Sequence, residues 1–159
     1  MVAAATLAAC GGATFNEGRY RDHDVSFRTG VLAPSWQRVR TGQGSVAFHH
    51  AAGGVIQAAA SCSARDDLPL DVLANHLLIG FEDRREAPRE RFVLDGRTAL
   101  RTSLTATLDG APCALELVIL KKDRCVYDLE LVASRRVFAD RRADFDRFVA
   151  GFARTPEQP

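Results

Sequence analysis

Three consecutive stretches in the C-terminal half of the chain alternate apolar and polar residues. They run from Arg97 to Leu108, from Cys113 to Lys121 and from Cys125 to Ala133. A period of two is typical of β-strands, and the short segments between the stretches, 109–112 and 122–124, have the composition of turns. Strands joined by such short turns run antiparallel. The sequence therefore predicts an antiparallel meander as the centre of the fold.

The lengths of these turns predict the register of the meander. A four-residue loop at 109–112 pairs Leu104 with Leu117, and a three-residue loop at 122–124 pairs Leu117 with Leu129. A shift of one residue would turn every side chain of a strand to the other face, so these lengths place the apolar residues of all three strands together. The opposite face would then carry the polar side chains of Arg101, Ser103, Thr105, Thr107, Glu116, Asp128 and Glu130.

Two further elements precede the meander. Val25–Arg28 is predicted as a first strand, and 44–50 with 55–62 as a hairpin in which Phe48 faces Ile56. That pairing needs a three-residue loop and a left-handed conformation at Gly53.

Two segments have the period of a helix instead. One runs from about Asp66 to Phe81, and the other carries the apolar stripe Phe145, Phe148, Val149 and Phe152. The charged run 82–91 is predicted as a connecting loop. We therefore expect an α+β fold, with an antiparallel sheet of five to seven strands and two helices packed on it.

The N-terminal run Leu7-Ala8-Ala9-Cys10 resembles the lipobox of bacterial lipoproteins. The resemblance implies that residues 1–9 are the remnant of a signal peptide and that Cys10 carries the lipid. A flexible tether over 10–23, one domain over 24–153 and a disordered tail over 154–159 would follow. Because Gly11 rather than Asp follows the cysteine, we expect anchoring at the outer membrane, on the periplasmic side of the cell envelope.

In an exported protein the remaining cysteines can form a disulfide bond. Cys113 and Cys125 are separated along the predicted strands by roughly 26 Å, at about 3.3 Å per residue, which is too far for a bridge. A bridge would join Cys62 to Cys125 or to Cys113, or all three would remain thiols. We favour the pair Cys62 and Cys125.

Several segments between residues 24 and 152 resemble the PsbP-like fold. They are Pro34-Ser35-Trp36 after the first strand, the turn 95–99 into a long strand, Tyr127-Asp128-Leu129 on the last strand, and the closing helix 144–152. The resemblance implies docking and assembly roles on larger complexes. It brings no catalytic residue and no cofactor.

The composition argues against a nucleic-acid binder, because 21 Lys and Arg nearly balance 20 Asp and Glu. The adjacent His49 and His50 point to opposite faces of a strand and cannot chelate one metal together. The charged run offers a candidate interaction surface at Arg84, Arg85, Arg89 and Arg91.

We therefore expect a non-catalytic envelope lipoprotein, a monomer or weak dimer, that acts as a docking or accessory subunit of a larger complex. The alternative is a module that binds a small ligand between sheet and helices, and a hydrolase with an unrecognised site is the third hypothesis.

Overall fold

The structure, a computed structural model, describes residues 12–62 and 68–156. The predicted lipidation site Cys10 and the predicted helix start at Asp66 lie outside these ranges. The described elements, in chain order, are β1 (Thr14–Asn16), β2 (Arg19–Arg21), β3 (Ser26–Arg28), β4 (Trp36–Val39), β5 (Ser45–His50), β6 (Val55–Ser61), α1 (Leu70–Leu77), β7 (Phe81–Glu86), β8 (Glu90–Leu94), β9 (Arg97–Leu108), β10 (Ala111–Lys122), β11 (Cys125–Ser134), α2 (Phe138–Ala150) and β12 (Ala153–Arg154).

Within the described residues the strands form two antiparallel sheets. The larger has eight strands in the order β4-β5-β6-β11-β10-β9-β7, with β8 also paired to β9, and the smaller has the order β1-β2-β3-β12. The α+β class and the central β9-β10-β11 meander are as predicted. The five to seven strands expected from the sequence are fewer than the strands observed.

The larger sheet is buried on both faces. Val118 and Leu120 of β10 join the core that contains Phe145 and Phe148 of α2. Leu117, like Ile119 of the same strand, lies in a second core with α1. Because neighbouring residues of a strand point to opposite sides, the two helices cover opposite faces of the sheet. We call these the α2 face and the α1 face.

The predicted register of the meander is wrong. Leu115, not Leu117, lies opposite Leu104, and Leu117 lies opposite Glu130. Both connections are two-residue turns, and their residues, including Asp123 and Arg124 at φ 50° and 65°, have left-handed backbones. This geometry matches the twist of a two-stranded hairpin, and it shortens each predicted loop.

The shorter turn between β10 and β11 places on opposite faces the apolar residues that were expected on one face. The apolar side chains of β11 at Leu129 and Leu131 lie on the α2 face, whereas Leu117 lies on the α1 face. The predicted outer surface is divided in the same way. Glu116 is completely buried on the α2 face, while Asp128 and Glu130 lie on the α1 face.

The β5–β6 hairpin agrees with the prediction: Phe48 lies opposite Ile56, and Gly53 has a φ of 90°. The disulfide between Cys62 and Cys125 is also as predicted, with a Cα–Cα distance of 4.1 Å. Cys113 is a buried free thiol, so its alternative pairing with Cys62 is wrong.

The predicted tether contains a hairpin. Strands β1 and β2 join at Glu17 and Gly18, both with left-handed φ, and β2 pairs with β3. Tyr20 is fully buried and stacks on Phe27 with 4.9 Å between ring centroids. This apolar contact adds β1 and β2 to the domain. The domain also extends past 153, because Arg154 lies in β12 and Thr155 N donates to Ser26 O.

The closing helix is as predicted, with Phe145, Phe148, Val149 and Phe152 all buried. Helix α1 is shorter than predicted and ends at Leu77, because Gly80 at φ 93° turns the chain into β7. None of the helices in the described residues is long and apolar enough to cross a bilayer.

Candidate functional site

The charged run 82–91 is not a loop. Residues 81–86 form β7 and residues 90–94 form β8, and both strands pair with β9. Strand β9 has twelve residues, and the backbone groups along one of its edges pair with the two strands of the charged run. Charged side chains suit such an edge position, because they discourage pairing with another chain.

A β-bulge interrupts β7. Glu82 lies opposite Thr107 and Arg85 lies opposite Thr105, so Asp83 and Arg84 share a single position on β9. Asp83 has a φ of 50°, which is a left-handed conformation that Asp tolerates better than most residues. A bulge changes the direction of the side chains at and beside it.

The bulge borders a surface cavity of about 590 Å³, which we call the arginine groove. The residues that line it are Asp83, Arg84, Arg85, Thr105, Thr107 and Arg135. Arg135 reaches it from the turn between β11 and α2. Sequence reasoning placed the two threonines on the polar face of the sheet but did not connect them with the charged run, and it did not find Arg135. These residues come close to the charged run only in the folded chain.

The arginine groove carries excess positive charge. Arg84, Arg85 and Arg135 form no ion pair with any residue that the structure describes, and Asp83 is the acidic residue in the lining. Arg135 also lies close enough to the Cys113 thiol to favour its ionisation, although burial dominates and raises the pKa of that thiol. Three arginines and one acidic residue thus line the groove.

The other two predicted surface arginines bind α1 instead. Arg91 Nη2 lies 2.5 Å from Asp71 Oδ2, and Arg89 Nη2 donates to Asn75 Oδ1 at 2.6 Å. Arg89 also pairs with Glu86 at 3.1 Å. Desolvation opposes the ionisation of Asp71, but the two arginines outweigh it and hold the pKa of that carboxyl below its ordinary value. The structure therefore divides the predicted four-arginine surface into a neutralised pair and an exposed pair.

A second group of charged residues lies under α2. Glu116 is fully buried, with Oε1 2.6 Å from Arg101 Nη1 and Oε2 2.9 Å from Arg142 Nε. Arg101 also contacts Asp146 at 2.8 Å. Burial raises the pKa of Glu116, while the charges of the two arginines oppose this. These contacts join α2 to the sheet.

Two carboxyl groups on the α1 face have strongly perturbed pKa values. Burial, and then the charge of Glu130, raise the pKa of Asp128 to about 7. Burial raises the pKa of Glu130 to about 7 as well, and Gln57 Nε2 donates to Glu130 Oε2 at 3.3 Å. The cross-strand neighbours of Asp128 are Ile119 and Ala59, which supply no opposite charge.

The histidines that the sequence analysis weighed as metal ligands do not come together. His49 is exposed, while the His50 ring contacts Trp36 at 5.0 Å and accepts a hydrogen bond from Ala52 N. Within residues 12–62 and 68–156, no group of three or more His, Cys, Asp or Glu side chains is arranged to hold a metal ion.

No protein-family profile matches the chain, and no curated protein matches it either. Solved structures do match. A Pseudomonas aeruginosa protein of unknown function is 14% identical, with a TM-score of 0.59 over 94% of this chain and 100% of that one. Cyanobacterial PsbP from Synechocystis is 10% identical, with a TM-score of 0.59 over 98% and 99% of the two chains.

LpqN of Mycobacterium tuberculosis, described as involved in cell envelope biogenesis, is 10% identical with a TM-score of 0.50 over 84% and 87% of the chains. At these identities the similarity concerns the fold. The chain thus has the PsbP-like fold that the sequence resemblance implied.

Proposed function

We propose that this chain is a non-catalytic accessory lipoprotein of the cell envelope that docks onto a larger complex through the arginine groove. The observation that carries the proposal is the convergence of Arg84, Arg85 and Arg135 without an ion-pair partner among the described residues. Exposed arginines of this kind suit a partner with clustered negative charge. The lipid on Cys10 would hold the protein at the outer membrane, on its periplasmic side.

Two further observations support docking rather than catalysis. Glu116 lies under α2, on the other face of the sheet from Asp128 and Glu130, so the three carboxyl groups with raised pKa values do not form one site. Glu116 is engaged with two arginines, as expected of a structural ion pair. LpqN, whose fold is similar, is described as involved in cell envelope biogenesis, which is compatible with an envelope role.

The alternative, a module that binds a small ligand between sheet and helix, is favoured by one specific cavity. A depression of 440 Å³ lies between β8 and α2, with Phe92, Val149 and Phe152 in its lining beside Arg101 and Asp146. Apolar walls with a few charged groups are typical of ligand sites. A small molecule that co-purifies with the protein and shields Phe92 from solvent would favour this alternative.

Charge reversal tests the docking role. The variant Arg84→Glu/Arg85→Glu should lose a stable partner that wild-type protein retains in a pull-down from native membranes. The matched control Arg19→Glu/Arg21→Glu changes two exposed arginines of the smaller sheet and should keep that partner. Equal recovery of the partner with both variants would contradict the proposal.

Lipid labelling tests the anchor separately. Cys10→Ala should abolish incorporation of radiolabelled palmitate and move the protein from the membrane fraction to the supernatant. A wild-type protein that incorporates no label would contradict lipidation and leave the docking test unaffected.

A further inference from the structure

The arginine groove has the features of a built anion site. We propose that it binds a phosphoryl group with two negative charges, carried by a larger molecule such as a lipid headgroup or a soluble phosphate compound. The inference rests on the proposed docking function and names the chemical group that the groove recognises.

The bulge is the first element of the site. In a regular strand Arg84 and Arg85 would point to opposite sides of the sheet. The extra residue opposite Ala106 interrupts this alternation, and both residues line the same cavity. The left-handed Asp83 gives β7 this geometry, at a conformational cost that a regular edge strand would avoid.

Small side chains on β10 are the second element. On the α2 face, Ala114 lies between Thr105 of β9 and Ala133 of β11, and Pro112 lies opposite Thr107. We infer that side chains this short leave room above β10 for the long side chains that come from β7 and from the end of β11. Arg135, which follows β11 directly, can therefore share a cavity with arginines from the far edge of the sheet.

The chemistry of the lining favours a phosphoryl group over a single carboxylate. Three guanidinium groups and one carboxylate give the lining an excess of two positive charges. Guanidinium groups bind phosphate oxygens in a bidentate manner, and the hydroxyls of Thr105 and Thr107 can donate further hydrogen bonds. A carboxylate carries only one negative charge and would leave one of the two excess positive charges uncompensated. A cavity of 590 Å³ also has room for the molecule that carries the phosphoryl group.

Titration with sodium pyrophosphate, followed by NMR on the whole chain, tests the site. We expect saturable shifts at Thr105, Thr107 and the backbone of β7. Arg135→Gln should weaken binding about tenfold or more, because it removes a charge-assisted interaction from an exposed turn residue. Arg124→Gln, in the turn before β11, is the matched control and should bind as wild type does. Equal binding by both variants, or no saturable shift in wild type, would overturn the proposal.

Two further arms identify the source of the phosphoryl group. Co-flotation with vesicles of phosphatidic acid, but not of phosphatidylcholine, would support a lipid headgroup, whereas pyrophosphate binding without flotation would support a soluble compound. A glutamate-rich peptide that binds more tightly than pyrophosphate would overturn the inference while leaving the docking role intact. Pyrophosphate binding combined with a failed pull-down would instead contradict the docking role alone.

Discussion

Reduction of the disulfide is the perturbation whose effect on stability follows most directly from the structure. Cys62 and Cys125 are separated by 63 residues in sequence, and the chain between them includes α1 and β7 to β10. A cross-link restricts the unfolded chain, and its contribution grows with the logarithm of the closed loop. For a loop of this length the chain-entropy relation gives about 4 kcal/mol. We therefore expect reduction to lower the free energy of unfolding by about 3–4 kcal/mol. The loss is no larger because the pairing of β6 with β11 remains after the bridge is reduced.

Urea unfolding with and without a phosphine reductant measures this loss. The urea midpoint of wild-type protein should fall when the reductant is added. Cys62→Ala should have the midpoint of reduced wild-type protein both with and without the reductant. Cys113→Ala is the control: it removes the buried free thiol and should leave the response to reductant unchanged. A decrease of less than about 1 kcal/mol on reduction of wild-type protein would refute the reasoning, because the bridge would then add little to the pairing of β6 with β11.

Three other perturbations test the packing and charges of the fold. Because the pKa values of Asp128 and Glu130 are raised to about 7 from ordinary values of 3.8 and 4.5, the folded chain keeps protons that the unfolded chain loses. The unfolding free energy should therefore fall as the pH rises from about 4 to about 7. Asp128→Asn should reduce this pH-dependent decrease in unfolding free energy by about 1–2 kcal/mol, after allowance for partial exposure. A variant whose pH profile in urea titrations equals that of wild type would contradict the prediction. Glu116→Gln should cost about 2–3 kcal/mol, measured by urea unfolding at neutral pH, because it leaves two arginines without their buried carboxylate; an effect under about 0.5 kcal/mol would argue against a structural ion pair. Gly30→Ala should lower the thermal midpoint, because its Cβ would lie 2.1 Å from the Arg147 carbonyl oxygen. In the control Gly42→Ala the added Cβ meets no atom within 4 Å and should have little effect, so equal midpoints of the two variants would be inconsistent with the close approach at Gly30.

The arginines show how far a charged sequence can predict a site. The run 82–91 contains Arg84 and Arg85, which line the arginine groove. It also contains Arg89 and Arg91, which form ion pairs with Asp71 of α1. Arg135 is distant in sequence and joins the groove only through the end of β11. A linear pattern contains the charges but not their partners, because ion pairs form between segments that folding brings together.

The sequence by itself determined which segments form strands or helices, through the spacing of their apolar residues, and which cysteines can form a disulfide bond. Alternation predicts β9 to β11, the aromatic stripe predicts α2, and spacing along the strands left Cys62 as a partner for Cys125. These features depend on local repeats or on simple distances along a strand, which a sequence carries directly.

Only the tertiary structure decided which face each residue occupies. The turn at Asp123 and Arg124 has no glycine, so its two-residue left-handed form was not evident, and one residue of register moved Leu117 away from Leu129. The burial of Glu116 and the bulge at Asp83 likewise depend on strands and helices paired across the fold. Because a strand's side chains alternate with a period of two, a change of one residue in a turn moves every side chain of the strand to the other face of the sheet. Only packing against both helices determines which face each residue takes.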